Sequence, residues 1–299
     1  MRELEGLVLR SQSGHVRVHT AEGALDVRVR GRLKQGRATS DLTVIGDRVR
    51  VRPDEGTLEA VEPRRNRFAR RQPGSRGRYK EDVLVANLDR LVIVLAAQSP
   101  PPNPRLLDRF LVLCELDDIE AAIVVNKIDQ GEEQARLLFA PYEALGYAVL
   151  YASALDGRGI EALRALVHDR VCAFIGPSGV GKSSLLNALE PGLGAAIGEV
   201  SSLLDKGRHT TRVAELHPLS GGGWLADTPG IRELASFALP ERELAGCFRE
   251  MRPLLGACAF SDCSHVHEPR CAVRAAVERG EIRPERYDSY LRIRRGEER

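Results

Sequence analysis

The stretch Gly176-Pro177-Ser178-Gly179-Val180-Gly181-Lys182-Ser183 has the G-x-x-x-x-G-K-S spacing of a phosphate-binding loop, and it stands in the middle of the chain. It follows the apolar run Val171–Ile175 and precedes the helical pattern Ser183–Leu189, the strand-to-helix setting that such a loop requires. A second motif, Asn126-Lys127-Ile128-Asp129, follows the apolar run Ala121–Val125 and comes before the loop, not after it. In an ordinary small GTPase the phosphate loop comes first and the base-reading motif lies near the end. Both motifs can share one sheet here only if the usual ends are joined and the chain is cut elsewhere. The order therefore predicts a circularly permuted P-loop domain.

The residue types define the ligand. Glycines let the backbone wrap an anion so that N–H groups and the following helix N-terminus point at it. Gly176 through Ser184 are expected to hold the phosphates, with Lys182 on the β- and γ-phosphates and Ser183 on Mg²⁺. A carboxylate at Asp129 can accept from both the ring N1–H and the exocyclic amine of guanine. Adenine offers neither donor there, which argues against an ATPase or kinase. Lys127 is expected along the base, with Asn126 bracing the neighbouring loops. Ser153-Ala154, after the run Ala148–Tyr151, fits the element that receives the guanine carbonyl.

Asp227-Thr228-Pro229-Gly230 ends another short strand pattern, Trp224–Ala226. Asp227 is expected to hold a Mg²⁺-bound water and the Gly230 amide to reach the γ-phosphate. Upstream, Gly207-Arg208-His209-Thr210-Thr211-Arg212 suits a switch loop. Thr211 is the preferred Mg²⁺ ligand, with Thr210 the alternative. Ile231 stands where Ras-like enzymes carry a water-orienting Gln. Slow intrinsic hydrolysis is the expectation, and His209 is the local candidate for orienting the water.

On either side of this unit the patterning changes. Residues 1–66 alternate apolar and polar positions in short stretches such as Val16-Arg17-Val18 and Leu25–Val29, which predicts a small antiparallel β-barrel. An OB-fold suits five such strands, and an SH3-like barrel fits almost as well. Residues 67–81 read as a basic linker. Residues 82–236 alternate apolar strands with helices such as 104–115 and 131–145, the pattern of a covered parallel sheet. Residues 237–299 look helical, with helices expected over 241–252, 272–279 and 284–294. The fold class is thus multi-domain: barrel, permuted α/β P-loop GTPase domain, α-helical tail.

Charge follows the same division. The net charge is only +2, yet residues 1–80 hold 19 Lys or Arg against 10 Asp or Glu. Between Arg64 and Lys80 there are eight basic residues and no acid, a patch suited to a polyanion. The barrel segment 1–67 has no Phe, Tyr or Trp, so it lacks a base-stacking platform. Arg28, Arg30, Arg32, Lys34 and Arg48 are the expected phosphate contacts. The longest clean apolar run, Leu91–Ala97, is too short to span a bilayer, and the first residues lack the layout of a signal peptide. A soluble, cytoplasmic, monomeric protein is the expectation.

Of the six cysteines, Cys114, Cys172 and Cys247 stand alone in apolar surroundings and read as buried small hydrophobes. Cys258-x4-Cys263-x-His265-x5-Cys271 instead supplies three thiolates and an imidazole, the donor set of a closed structural zinc site. His267 is the competing fourth ligand.

Taken together, the Asn126–Asp129 motif, Gly176–Ser183, Gly207–Thr211, Asp227–Glu233 and the cysteine–histidine spacing resemble the ribosome small-subunit-dependent GTPase A family (RsgA, also called YjeQ), over nearly the whole chain. The resemblance implies an N-terminal OB domain, a circularly permuted GTPase domain and a C-terminal zinc domain. It implies one structural Zn²⁺ held by Cys258, Cys263, His265 and Cys271, with Mg²⁺ accompanying GTP. It also implies GTP hydrolysis to GDP stimulated by the small ribosomal subunit and its rRNA, during late maturation of that subunit. A hydrophobic residue at position 231 is usual in that family.

Overall fold

A computed structural model describes residues 2–30, 43–73, 79–194, 214–227, 241 and 243–297, with backbone alone for 70–73 and 79–81. Five strands build the N-terminal unit: β1 (Leu4–Gln12), β2 (His15–Thr20), β3 (Gly23–Val29), β4 (Arg48–Arg52) and β5 (Thr57–Val61). Their order is β1-β2-β3-β5-β4, and β4 pairs back onto β1 to close the barrel. Every pairing is antiparallel except β3 with β5. This order is that of the OB-fold and not of an SH3-like barrel. Period-two patterning sends Val8, Val16, Val18, Val27, Val49, Val51 and Leu58 inward as a closed apolar core.

The 67–81 segment differs from the linker expected of it. β6 (Arg67–Pro73) and β7 (Tyr79–Ala86) form an antiparallel hairpin, with Arg67 opposite Ala86 and Pro73 opposite Tyr79. The basic run masks the strand pattern. Its apolar anchors are Phe68 and Val85, which register opposite each other and are both buried. The same register sets Arg70 opposite Asp82 and Arg71 opposite Glu81.

The central sheet runs β10 (Ala148–Tyr151), β9 (Glu120–Asn126), β8 (Arg90–Ala96), β11 (Val171–Ile175), β13 (Trp224–Asp227) and β12 (Glu215–Pro218). The first five are parallel and β12 is antiparallel. α1 (Pro104–Leu116), α2 (Glu132–Ala144), α3 (Ile160–Val167) and α4 (Lys182–Leu189) connect or follow the strands. Buried side chains form two separate clusters. Ile93, Phe110 and Phe139 belong to one, and Val92, Leu163 and Leu185 to the other, as expected when both faces of a parallel sheet are covered. β8, β9, β11 and β13 all end toward the same rim, so the motifs that follow them meet there although they are far apart in sequence.

The C-terminal unit holds α5 (Ala272–Glu278) and α6 (Pro284–Arg294). Instead of a helix over 241–252 there are two short 3-10 turns, Leu244–Cys247 and Arg252–Leu254. Gly246 and Pro253 lower helix propensity at these points. Phe248, Met251 and Tyr290 pack with Val112 of α1, joining this unit to the central sheet domain.

A buried ionic cluster reinforces that contact. Arg286 of α6 donates to Asp108 of α1 and to Glu250, at 2.7 Å for its Nε–Oε1 bond to the glutamate, while the Tyr142 hydroxyl donates to Asp108 at 2.8 Å. Burial works against the Arg286 charge, but the two carboxylates outweigh it and the guanidinium stays protonated. Arg249 and Arg252 both donate to Glu115 of α1, and the Arg249 guanidinium lies 3.8 Å from the centre of the Tyr147 ring. The C-terminal unit is therefore fastened to α1 by paired charges, of which Arg286–Asp108 is nearly shut off from water. Among the described residues no helix is long and apolar enough to cross a membrane.

Candidate functional site

β9 delivers Asn126 to the rim with its side chain 1% exposed, and both ends of its amide are used. Nδ2 donates to the Val180 carbonyl in the phosphate loop at 2.9 Å, and Oδ1 accepts from the Ala154 N–H at 3.2 Å. One side chain thus ties the segment after β9, the phosphate loop and the segment after β10. Lys127 adopts a left-handed backbone, φ 62°, which is uncommon for a residue with a Cβ. Its ammonium donates to the carbonyls of Ser99 at 2.6 Å and Gly179 at 2.7 Å. Its aliphatic stem is left free to line a base.

Asp129 stands exposed at the same rim. The Ser153 hydroxyl, fully buried after β10, donates to Asp129 Oδ1 at 2.7 Å. That bond orients the carboxylate while leaving further acceptor capacity for a ligand.

Close packing explains two glycines of the phosphate loop. A Cβ on Gly176 would lie 2.1 Å from the Val94 carbonyl oxygen, so only glycine lets the loop turn off β11 against β8. A Cβ on Gly181 would lie 2.3 Å from Asn126 Nδ2, and its φ of 92° is also one that side chains disfavour. Lys182 folds its ammonium back onto the loop, donating to the carbonyls of Gly176 at 2.7 Å and Pro177 at 2.6 Å. Ser178, Ser183 and Ser184 are exposed, and Pro177 is half-buried. Ser183 and Ser184 lie in the first turn of α4, where unpaired N–H groups favour an anion. Asp227 closes β13 on the neighbouring parallel strand, placed by the pairing of Ala173 with Ala226. Thr228, Pro229, Gly230, Ile231, His209, Thr210 and Thr211 lie outside the described residues.

A second site lies in the C-terminal unit. One ligand atom from each of Cys258, Cys263, His265 and Cys271 falls within 4.8 Å of the others. Cys258 Sγ and Cys271 Sγ are 3.9 Å apart, and each is 3.5 Å from His265 Nδ1. A tetrahedron with metal–sulfur bonds of about 2.3 Å has edges of about 3.8 Å, so the donor set has the dimensions of a metal cage. Burial pushes the His265 imidazole toward its neutral form, the form that ligates a metal. The other three thiols lie outside the cage. Burial pushes Cys172 and Cys247 up to about 12 and Cys114 also well upward, leaving them protonated and inert.

Two features of these sites carry no signature in the sequence. The Ser99 carbonyl receives Lys127, but backbone atoms leave no mark on residue type. Glu268 organises the metal loop. It accepts from the Ser264 hydroxyl and from the N–H groups of Ser264, Val266 and His267, bonds that hold its carboxyl well below the usual range. As the one acid between His265 and Cys271, it is legible only once the loop is seen. The Tyr287 and Tyr290 hydroxyls pin the same loop to α6, donating at 2.6 Å to the carbonyls of His265 and Ser264.

Comparison with known proteins agrees with this geometry. Residues 61–237 match the family model described as RsgA GTPase. A protein of Gemmatimonas aurantiaca named small ribosomal subunit biogenesis GTPase RsgA is 47% identical over 296 residues, covering 97% of this chain and 96% of its own. The Moorella thermoacetica protein of the same name is 44% identical, covering 96% and 95%. Among solved structures, YjeQ from Thermotoga maritima superposes with a TM-score of 0.77 at 33% identity, covering 99% of both chains. YloQ, a circularly permuted GTPase, also gives 0.77, at 31% identity over 99% of this chain and 95% of its own. Motif order, sheet order and full-length similarity converge, and the chain belongs to the RsgA family of circularly permuted GTPases.

Proposed function

We propose that this protein is a GTPase of small ribosomal subunit biogenesis, hydrolysing GTP to GDP and phosphate when it engages the subunit and its rRNA. The observation that carries the proposal is the bracing of the guanine motif onto the phosphate loop, through Asn126 to Val180 and Lys127 to Gly179. A base reader rigidly spaced from a phosphate cradle selects one nucleoside triphosphate. Asp129 reads the guanine edge, and Ser153 and Ala154 complete the base pocket. Gly176 to Ser184 hold the phosphates, Lys182 exchanging its loop carbonyls for phosphate oxygens. Ser183 and Asp227 serve the Mg²⁺ side, which Thr211 completes, with Gly230 at the γ-phosphate and His209 orienting the water. Mg²⁺ bound there would supply charge neutralisation for the phosphates. The Cys258, Cys263, His265 and Cys271 cage takes Zn²⁺, and a site with four protein ligands serves architecture, not catalysis. The protein acts as a cytoplasmic monomer.

RNA contact in this reading is made by phosphates on the barrel. Arg28 and Arg48 are exposed and have no acidic partner among the described residues, whereas Arg30 is committed to Glu55 and Glu59 and does not share that role. Arg32 and Lys34 lie outside the described residues. Binding of this kind releases counterions, so affinity falls steeply with salt. Co-sedimentation with purified small subunits in a non-hydrolysable GTP analogue should weaken about tenfold or more between 50 and 200 mM salt. Binding should be weaker with GDP at every salt concentration. Salt-insensitive binding, or equal binding with both nucleotides, contradicts the proposal.

A further inference from the structure

The sheet edge that carries Asp227 does not end in solvent. β12 pairs with β13 on one side and with the barrel strand β1 on the other. Arg10 lies opposite Glu215, and Glu215 lies opposite Asp227. One row of residues therefore crosses from the barrel to the end of β13, over about 10 Å. At the other end of the same hairpin, Trp224 meets the barrel residue His19, with ring centroids 4.9 Å apart and planes inclined at 60°. His19 itself sits opposite Leu7 of β1. Between barrel and sheet is a cleft of about 560 Å³ bordered by His19, Arg48, Arg170 and Trp224.

The two neighbours of the GTPase domain are attached in different ways. The C-terminal unit is fixed to α1 by an apolar cluster and by the buried Arg286–Asp108 ion pair. The barrel meets the β12–β13 hairpin through the register pair Arg10–Glu215, the His19–Trp224 ring contact and an apolar cluster that holds Leu7 and Leu9 of β1 together with Leu216 and Ala226 of the hairpin. A ligand that grips the barrel acts on apolar and ring packing, which can slide, whereas moving the C-terminal unit means breaking the desolvated Arg286–Asp108 pair. The short chain connection from Asp227 to the C-terminal unit offers a covalent route. The described contacts of the hairpin, however, lead to the barrel.

We propose that the barrel regulates hydrolysis through this junction. Engagement of the barrel by the small subunit shifts the β12–β13 hairpin and so sets the position of Asp227, with His19 and Trp224 as positioning residues. The inference rests on the proposed function, since it needs Asp227 on the Mg²⁺ side and the subunit as activator. It assigns to the junction a coupling free energy between two sites, which must be absent when the contact is removed.

His19 is exposed, so His19→Ala removes the ring contact without opening the core. His19→Phe keeps a flat ring against the indole and loses the imidazole. GTP hydrolysis with and without purified small subunits, and co-sedimentation in a non-hydrolysable analogue, are measured for the parent and both variants. In His19→Ala, basal hydrolysis and subunit binding should stay at parental level while stimulation falls about fivefold or more, the range of ordinary coupling energies. His19→Phe should keep the parental stimulation. Full stimulation of His19→Ala overturns the inference alone. Loss in both variants, or loss with weakened binding, also overturns it, because His19 then touches the subunit directly. A parent that the subunit fails to stimulate overturns the proposed function and this inference together.

Discussion

Asp129→Asn is expected to lower GTP affinity by at least about a hundredfold. Guanine would lose two hydrogen bonds to a charged acceptor, each worth about 1.5–3 kcal/mol, and 1.4 kcal/mol is a factor of ten in affinity. The amide retains one acceptor oxygen, and the Ser153 hydroxyl that donates to Asp129 Oδ1 at 2.7 Å is placed to claim it. The amide nitrogen then faces the ligand as a donor. Xanthine carries a carbonyl where guanine carries its exocyclic amine, so the variant should gain affinity for XTP as it loses GTP. Competition among GTP, XTP and ATP for the parent and the variant reads this directly. Equal GTP affinity in both would show that Asp129 does not read the base. Gain of ATP binding is not expected, since adenine presents no acceptor that replaces the missing carbonyl.

Metal removal is the second large effect. The Cys258, Cys263, His265 and Cys271 cage sits against Tyr287 and Tyr290, and Cys271 belongs to the same buried cluster as Phe248 and Met251. This unit has a thin apolar core, and structural zinc in small domains contributes an apparent binding free energy of about 10 kcal/mol or more. That is as large as the whole stability of a typical domain, about 5–15 kcal/mol. Purified protein should carry close to one zinc per chain. Cys271→Ala or chelation should abolish amide protection over residues 258–297 and small-subunit binding. Nucleotide binding should survive, because Asn126, Asp129 and Gly176–Ser183 draw no contact from the metal loop. Less than half an equivalent of zinc, or unchanged protection after chelation, contradicts this account.

Much of the architecture is legible in the sequence because two periodicities are unmixed. Barrel strands alternate at period two, and the sheet strands Arg90–Ala96 and Glu120–Asn126 are short, nearly continuous apolar runs between helices. The site is legible for another reason. Phosphate and guanine each demand residue types at fixed spacing, so glycines, Lys182 and Asp129 mark their places even in a permuted order. What stays hidden has physical causes. Strand β6 is concealed because charge density in Arg67–Pro73 looks like a solvated linker, with the buried Phe68 as its large apolar residue. The turns Leu244–Cys247 and Arg252–Leu254 are concealed because helical apolar spacing there outweighs the effect of Gly246 and Pro253. Backbone acceptors such as Ser99, and the pairing of Arg10 with Glu215, are tertiary facts that no local pattern encodes.

The barrel junction and the fastened C-terminal unit give the permuted order a mechanical sense. Permutation brings the barrel in before β8, and the fold then uses that barrel to cover the sheet edge beside Asp227. An enzyme with Ile231 after its Asp227–Gly230 motif lacks the local glutamine that orients water in Ras-like proteins. Slow hydrolysis by the chain alone is the expectation, with the water positioned by another group such as His209 or completed by a partner.

The most direct measurement is steady-state hydrolysis of GTP and of ATP by the full chain, alone and with purified small ribosomal subunits. Slow GTP turnover alone, acceleration by about tenfold or more with small subunits, and no comparable response with large subunits or with ATP are the predicted results. A GTP rate that small subunits leave unchanged, or ATP turnover that matches it, would contradict the account.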